Sequence, residues 1–239
     1  MTTRDFDLII YGASSFVGQI MTRYLAEHIG FSGTVKWAIA GRSSSKLNEL
    51  RASLGEVAAN LPIIIADADD ANALAKLCQS TRVIATTVGP YALYGEQMVK
   101  ACAENGTDYC DLCGEAYWIK RMIVKYADAA EQTGARIVSC CGFDSIPSDL
   151  GVHFLQQQGH QRFGKYFTAI KLAVNKMKGG ASGGTLASMI EAVKAAKSDP
   201  KLRREMNNPY ILCPEKIDLR RPQVSIKGPK FDNDFQRWS

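Results

Sequence analysis

The chain has 239 residues, of which 46% are hydrophobic and 22% are charged. At roughly 150 residues per domain, this length allows one large domain or one and a half, and the composition excludes disordered, collagen-like and coiled-coil proteins. The formal net charge of +5 is mild and does not by itself indicate nucleic acid, so we expect no such partner.

Residues 1–150 alternate between two apolar patterns. Short apolar runs predict strands, whereas apolar residues three or four positions apart predict helices. In chain order we expect strands at 8–11, 35–40, 61–66, 83–88, 107–112 and 135–140, with helices near 17–25, 47–54, 71–78, 95–104 and 118–126. This alternation predicts an α/β fold: a doubly wound parallel sheet of the Rossmann type.

The pattern changes after Pro147. The sequence there predicts a helix at 150–158, a half-buried strand at 167–174, a glycine-rich turn at 179–184, a helix at 185–197 and a strand at 223–226. We therefore expect a boundary near residue 150, with a nucleotide-binding domain over 1–150 and part of an α+β domain over 151–239. The second domain is expected to serve substrate binding and dimerisation.

Charge is divided unevenly between these two parts. Residues 1–150 carry 13 Lys or Arg against 17 Asp or Glu, a net charge of −4, whereas residues 151–239 carry 16 against 7, a net charge of +9. A basic second part suits an anionic partner, such as a carrier-bound substrate or a lipid head group at a membrane surface. A solvated basic face explains the asymmetry equally well.

The apolar runs are far shorter than the roughly 18 residues that span a bilayer, so we expect no transmembrane segment. Residues 1–7 include two acidic residues and no apolar core of a secretory signal. Seven cysteines, an odd number, suit reduced thiols. Together these features predict a cytoplasmic protein.

The turn after the first predicted strand is built from small residues, which lets the backbone and the next helix approach a pyrophosphate. Gly12 and Gly18 take its first and last glycine positions, but Ser15 stands where a middle glycine is more usual. A plain helix N-terminus capped by serine would use the same residues. The predicted cofactor contacts of this turn are Gly12, Ser14, Ser15, Phe16, Val17 and Gly18.

The end of the second predicted strand favours NADP(H) over NAD(H). NAD sites usually place a carboxylate there, whereas NADP sites favour arginine. Here Arg42 can bind a phosphate with its guanidinium fork, Ser43 can donate, and Lys46 adds charge one helical turn on.

The ends of the third and fourth strands supply the remaining predicted cofactor contacts, because ligands of open α/β sheets lie beyond the carboxyl ends of the strands. These residues are Asp67, Thr87, Val88, Gly89 and Pro90. Any one of them could also be an ordinary turn residue without contact to a ligand.

A nicotinamide cofactor carries out hydride transfer, for which the protein must orient cofactor and substrate and usually supplies one proton donor. The chain has no Tyr-x-x-x-Lys pair, and the donors expected near the strand ends are Tyr91, Tyr94 and Asp144. We favour Tyr91 as the catalytic residue for its position. The Cys-x-x-Cys at 110–113 falls in a strand, where small buried residues are expected rather than a metal or redox site.

Several blocks together resemble the saccharopine dehydrogenase-like oxidoreductases, and within them the trans-acting enoyl reductase group. The blocks are residues 12–18, 40–43, 87–91 with 94–96, 107–112 with 114–115, and 141–149. The resemblance implies an NADP-binding Rossmann domain, a second α/β domain that covers the nicotinamide, and hydride transfer to a lipid or polyketide enoyl chain on a carrier. Because family members continue further, it also implies that the second domain here is partial.

Two alternatives stay open at this point. Ser15 and the lack of a catalytic dyad would also suit a non-catalytic NADP(H) sensor or scaffold protein. A role in saccharopine-type amino acid metabolism would need arginines that clamp carboxylates. The candidates for that role are Arg203, Arg204, Arg220 and Arg221.

Overall fold

The computed structural model describes residues 4–176, 178–180, 182–208, 210–213 and 231–238. Its centre is a six-stranded sheet in the order β3-β2-β1-β4-β5-β6, in which every neighbouring pair is parallel. The strands are β1 (Phe6–Tyr11), β2 (Trp37–Gly41), β3 (Ile63–Ile65), β4 (Thr81–Thr86), β5 (Asp108–Cys110) and β6 (Ile137–Val138). This order confirms the predicted doubly wound Rossmann sheet.

Helices cover both faces of the sheet. They are α1 (Phe16–His28), α2 (Ser44–Ser53), α3 (Ala71–Ser80), α4 (Tyr91–Tyr94), α5 (Glu96–Asn105) and α6 (Ala116–Thr133), with a 3-10 turn at Glu56–Ala58. Side-chain caps fix several of their starts: Asp70, for example, accepts from the amides of Asn72 and Ala73 at the start of α3. Glycines with positive φ, Gly106 and Gly134, end α5 and α6.

The core lies on both faces of the central strands. Ile9 and Ile10 of β1 are fully buried although they point to opposite faces, as expected for a parallel strand between two layers of helices. Ile9 belongs to a cluster with α3, α5 and α6, whereas Ile10 belongs to a cluster with α1 and α2. The rigid centre of the sheet therefore fixes where the strand ends, and the loops beyond them, lie.

Residues after 145 form helices α7 (Ile146–Phe163), α8 (Gly183–Ser198) and α9 (Pro200–Met206), and a short antiparallel pair, β7 (Phe231–Asp232) with β8 (Arg237–Trp238). The predicted helices at 150–158 and 185–197 are confirmed. The boundary at residue 150 stays a prediction, and α7 runs through this position.

The strand predicted at 167–174 is wrong, because these residues form no regular structure. The backbone of Phe167 donates to the amide oxygen of Gln156 and accepts from its amide nitrogen, at 2.7 and 2.9 Å. A side chain of α7 thus takes the hydrogen bonds that a neighbouring strand would supply. The strand predicted at 223–226 lies outside the described residues.

Candidate functional site

Two adjoining cavities lie at the carboxyl edge of the sheet. The first, of about 310 Å³, lies between the ends of β1, β2 and β3. The second, of about 460 Å³, lies between α6, α8 and the loop at 87–90 that follows β4, the β4 loop. Ser15, Thr87 and Gly89 line both. The predicted contacts Gly12, Ser14, Arg42, Ser43, Lys46, Asp67 and Val88 line the first cavity, and Phe16, Val17 and Tyr91 line the second.

The turn between β1 and α1 leaves no room for side chains at its two glycines. Gly12 has φ +84°, and a Cβ there would lie 2.6 Å from Val88 Cγ2. A Cβ at Gly18 would lie 2.3 Å from the Gly12 carbonyl oxygen. The first and last positions of the predicted phosphate turn therefore require glycine, because the turn packs closely against Val88 and Thr87 and the start of α1 packs closely against the turn.

Ser15, the residue at the unusual middle position, caps α1. Its Oγ accepts from the Gly18 amide at 3.0 Å and lies 2.8 Å from Thr87 Oγ1, which donates to the Gly12 carbonyl at 2.9 Å. Because Thr87 has one hydroxyl proton and gives it to Gly12, Ser15 donates to Thr87. The serine thus joins the phosphate turn to the β4 loop.

The end of β2 presents the cations predicted from the sequence. Arg42 and Lys46 are exposed on the wall of the first cavity, and Ser43 caps α2. Arg42 forms no ion pair with any described residue, so its guanidinium is available to an anionic ligand.

The first cavity is also lined by Asp67 and Asp69, which follow β3. Asp67 Oδ1 accepts from the Asp69 amide at 3.1 Å. Tyr11 lies among these charges, and its pKa is raised by burial and by the Asp67 charge. These carboxylates disfavour an anion beside them, so within the first cavity an anion is favoured beside Arg42 and the N-terminus of α1.

Tyr91, the predicted catalytic residue, opens α4 directly after Gly89 and Pro90. Its side chain is buried, and its hydroxyl donates to the Thr86 carbonyl at 3.1 Å and accepts from the Leu112 amide at 3.4 Å. Burial and the charge of Asp111 raise the pKa of this hydroxyl. The tyrosine therefore braces the ends of β4 and β5, and its catalytic role stays a prediction.

Two buried carboxylates lie at the carboxyl edge of the sheet, Asp111 and Glu115. The sequence analysis gave neither a role of its own, although both lie in blocks that carry the family resemblance. Asp111 Oδ1 accepts from the amides of Cys113 and Cys140, at 3.0 and 2.9 Å, and Oδ2 accepts from the hydroxyls of Tyr109 and Ser139. This carboxylate ties the end of β5 to the end of β6. The second, Glu115, lines the second cavity.

Neither a metal cluster nor a membrane helix is found in the part of the chain that the structure describes. No three His, Cys, Asp or Glu side chains there are grouped to hold a metal ion. None of the helices in the same part is long and apolar enough to cross a membrane.

A parallel sheet in this strand order, with a close-packed glycine turn opening onto a helix N-terminus, defines a dinucleotide-binding protein. The family described as the saccharopine dehydrogenase NADP binding domain matches residues 8–138. The chain belongs to this family, as the sequence motifs predicted.

The relatives bear the name of the predicted group. A trans-acting enoyl reductase of Mycobacterium ulcerans is 40% identical over 235 residues, which cover 98% of this chain and 54% of that protein. One of Mycobacterium tuberculosis is 41% identical, covering 89% and 50%, and a second protein of that species, provisionally given the same name, is 43% identical, covering 90% and 51%. The chain thus spans about half the length of the curated relatives it matches.

Among solved structures, the chain is similar to the apo saccharopine dehydrogenase (L-Glu forming) of Saccharomyces cerevisiae. The TM-score is 0.48 at 17% identity, covering 65% of this chain and 32% of that one.

NADP is the cofactor of this domain family, and the residues present fit it. The close-packed turn lines the first cavity with Gly12, Ser14 and Ser15, the N-terminus of α1 faces the turn, and Arg42 stands unpaired by described residues at the end of β2. Gly12, Ser14 and Ser15 would hold the pyrophosphate, and Arg42, Ser43 and Lys46 the 2′-phosphate. Gly18, the other predicted glycine of the turn, lines neither cavity and gives its amide to Ser15, so its place is in the packing of the turn.

Proposed function

We propose that the chain is the cofactor-binding part of an NADP-dependent oxidoreductase that reduces an enoyl substrate of lipid or polyketide type. The observation that carries the proposal is the first cavity, where an obligatory glycine turn meets Arg42 and Lys46. The names of the relatives support the reductase class. NADPH, when bound, would supply the hydride.

The second cavity supports an apolar substrate beside the nicotinamide. Its walls include Leu112, Met189 and Met206, while Ser182 and Thr185 line it at the N-terminus of α8. Apolar walls with few polar groups are typical of small-molecule sites. We propose that this cavity receives the enoyl group and that 151–239 form part of a substrate and dimerisation domain.

Arg42→Ala tests the cofactor assignment. Because a hydrogen bond to a charged group contributes about 1.5–3 kcal/mol, we expect the NADPH Kd to rise about 10- to 100-fold and the NADH Kd to stay within about twofold. Isothermal titration calorimetry measures both. The matched control is Arg82→Ala, an exposed arginine that pairs with Asp7 far from the cavity. Equal losses for NADPH and NADH would contradict the proposal.

The second candidate function is a non-catalytic NADP(H) sensor. It is favoured by the Tyr91 hydroxyl, whose proton is already given to the Thr86 carbonyl. A turnover assay separates the two functions. The reductase oxidises NADPH when a medium-chain enoyl thioester is added, whereas a sensor binds NADPH without turnover. Absorbance at the NADPH band follows the reaction.

Tyr91→Phe separates the two roles of this tyrosine. Loss of a general acid would lower kcat about 100- to 10,000-fold. Loss of the brace to Thr86 would lower kcat less than about tenfold and destabilise the fold by about 1 kcal/mol. The hydrogen bonds of the hydroxyl favour the second result, and steady-state kinetics with thermal denaturation distinguish them.

A further inference from the structure

The carboxylate of Glu115 is almost completely buried and accepts three hydrogen bonds. Oε1 accepts from the Tyr91 amide at 3.0 Å and from Ser188 Oγ at 2.9 Å, and Oε2 accepts from the Ala92 amide at 2.9 Å. The side chain is 7% exposed. Burial raises the pKa of the neighbouring Tyr117 hydroxyl, and the charge of Glu115 raises this pKa further.

These three donors come from two parts of the site. Tyr91 and Ala92 open α4, directly after the cofactor loop at 87–90, whereas Ser188 lies in the second turn of α8. The loop lines both cavities, and α8 lines the second. Glu115 therefore stands between the expected cofactor position and the substrate cavity, bonded to both sides.

The bond from Ser188 distinguishes this arrangement from a simple helix cap. A cap for the four-residue α4 needs the two backbone bonds alone. The contact to α8 joins residues that are 73 positions apart in the sequence. None of the residues of α8 is itself buried. A charge-assisted hydrogen bond of this kind is the stronger class, and it is the stronger for being removed from water.

We propose that Glu115 is a positioning residue that couples the cofactor loop at 87–90 to α8, so that cofactor bound against the loop holds α8 over the substrate cavity. The coupling to cofactor rests on the proposed function. The mechanical link between loop and helix does not, because it stands on the three hydrogen bonds alone.

Ser188→Ala tests the link, because it removes the bond to α8 and leaves Glu115 with both backbone donors. Hydrogen–deuterium exchange of the full chain is measured with and without NADPH, with Ser198→Ala as the matched control. Ser198 is in the same helix, and its hydroxyl bonds within α8 alone. We expect Ser188→Ala to speed exchange of the α8 amides about tenfold, the control to leave it unchanged, and the NADPH Kd to rise by no more than the factor by which NADPH slows α8 exchange in the wild type.

Glu115→Gln adds the cofactor side. Its amide nitrogen would face a backbone N–H, so we expect faster exchange in both α4 and α8 and an NADPH Kd raised about tenfold.

In the wild type NADPH should slow exchange in α8, and Ser188→Ala should abolish this slowing. Unchanged α8 exchange in Ser188→Ala without cofactor overturns the link, and α8 slowing that survives in Ser188→Ala overturns the coupling. Wild-type chain that binds no NADPH would overturn the proposed function and the coupling to cofactor, and exchange without cofactor would still decide the link.

Discussion

Helices α6 and α7 have the same length, 18 residues, and opposite surroundings. The apolar residues of α6 fall on one face, where Trp118 and Met122 are buried against the sheet. Those of α7 are spread around the helix, and Leu150 and Phe154 are more than half exposed, while Gly159 alone is buried. Helix propensity forms both, but burial holds α6 in place, because packing of an apolar face supplies most helix stability in proteins.

The same difference separates the two cavities. The first is enclosed by β1, β2 and their loops, whose backbones are fixed by the core. The second has the sheet on one side and α8 on the other, where Leu186 and Ile190 are more than half exposed. The first cavity, the proposed cofactor site, is therefore set by packing. The second, the proposed substrate site, is bounded by a helix without a buried residue, which the bond between Ser188 and Glu115 helps to hold.

Gly12→Ala has the largest expected effect on the rigid side. A Cβ would lie 2.6 Å from Val88 Cγ2 and 2.9 Å from Thr87 Oγ1, so the loop at 87–90 must move away from the glycine turn. We expect NADPH affinity to fall at least about 100-fold in calorimetry. Gly30→Ala is the control, because Gly30 has φ +73° but open space around it, and should leave affinity unchanged. Equal losses in both variants would assign the effect to backbone strain alone.

Met122→Ala and Leu150→Ala compare α6 with α7 directly. Met122 is 5% exposed and Leu150 is 54% exposed. Removing a buried side chain of this size costs about 2–5 kcal/mol, whereas an exposed change usually stays within about 0.5 kcal/mol. Urea denaturation measures both free energies of unfolding. A loss at Leu150 as large as that at Met122 would mean that α7 is buried in solution and would break the comparison.

Local signals in the sequence predicted the rigid side and the helices at 150–158 and 185–197, but they missed the long-range hydrogen bonds of the site. The strands of the sheet and the cations at Arg42 and Lys46 were predicted because each depends on neighbours along the chain. The bond between Ser15 and Thr87 spans 72 positions and that between Ser188 and Glu115 spans 73, so no local pattern contains them. The strand at 167–174 failed for the same reason, because alternation in a sequence does not specify its hydrogen-bond partner.

Asp108, at the edge of the sheet opposite the cavities, should give the smallest effect. Its carboxylate accepts from the Arg136 amide at 2.9 Å and from its guanidinium, and this bond holds the pKa of Asp108 below its usual range. A lowered pKa means that the stabilisation is present above the unfolded pKa of about 3.9 and is lost as pH falls through the lower folded pKa.

Because the Arg136 side chain is 80% exposed, Asp108→Asn should lower Tm at pH 7 by no more than about 4 °C. The difference from wild type should shrink as pH falls through the lowered folded pKa of Asp108, and thermal melts at pH 7 and over an acid pH series measure it. Glu104→Gln, which breaks a longer exposed pair with Lys100, is the control and should change Tm less. NADPH affinity should stay the same in both, since the pair lies at the far edge of a sheet whose centre is rigid. A loss of NADPH affinity in Asp108→Asn would mean that the two edges are coupled through the sheet. The proposed cofactor side would then not be rigid, and its contrast with the proposed substrate side would be contradicted.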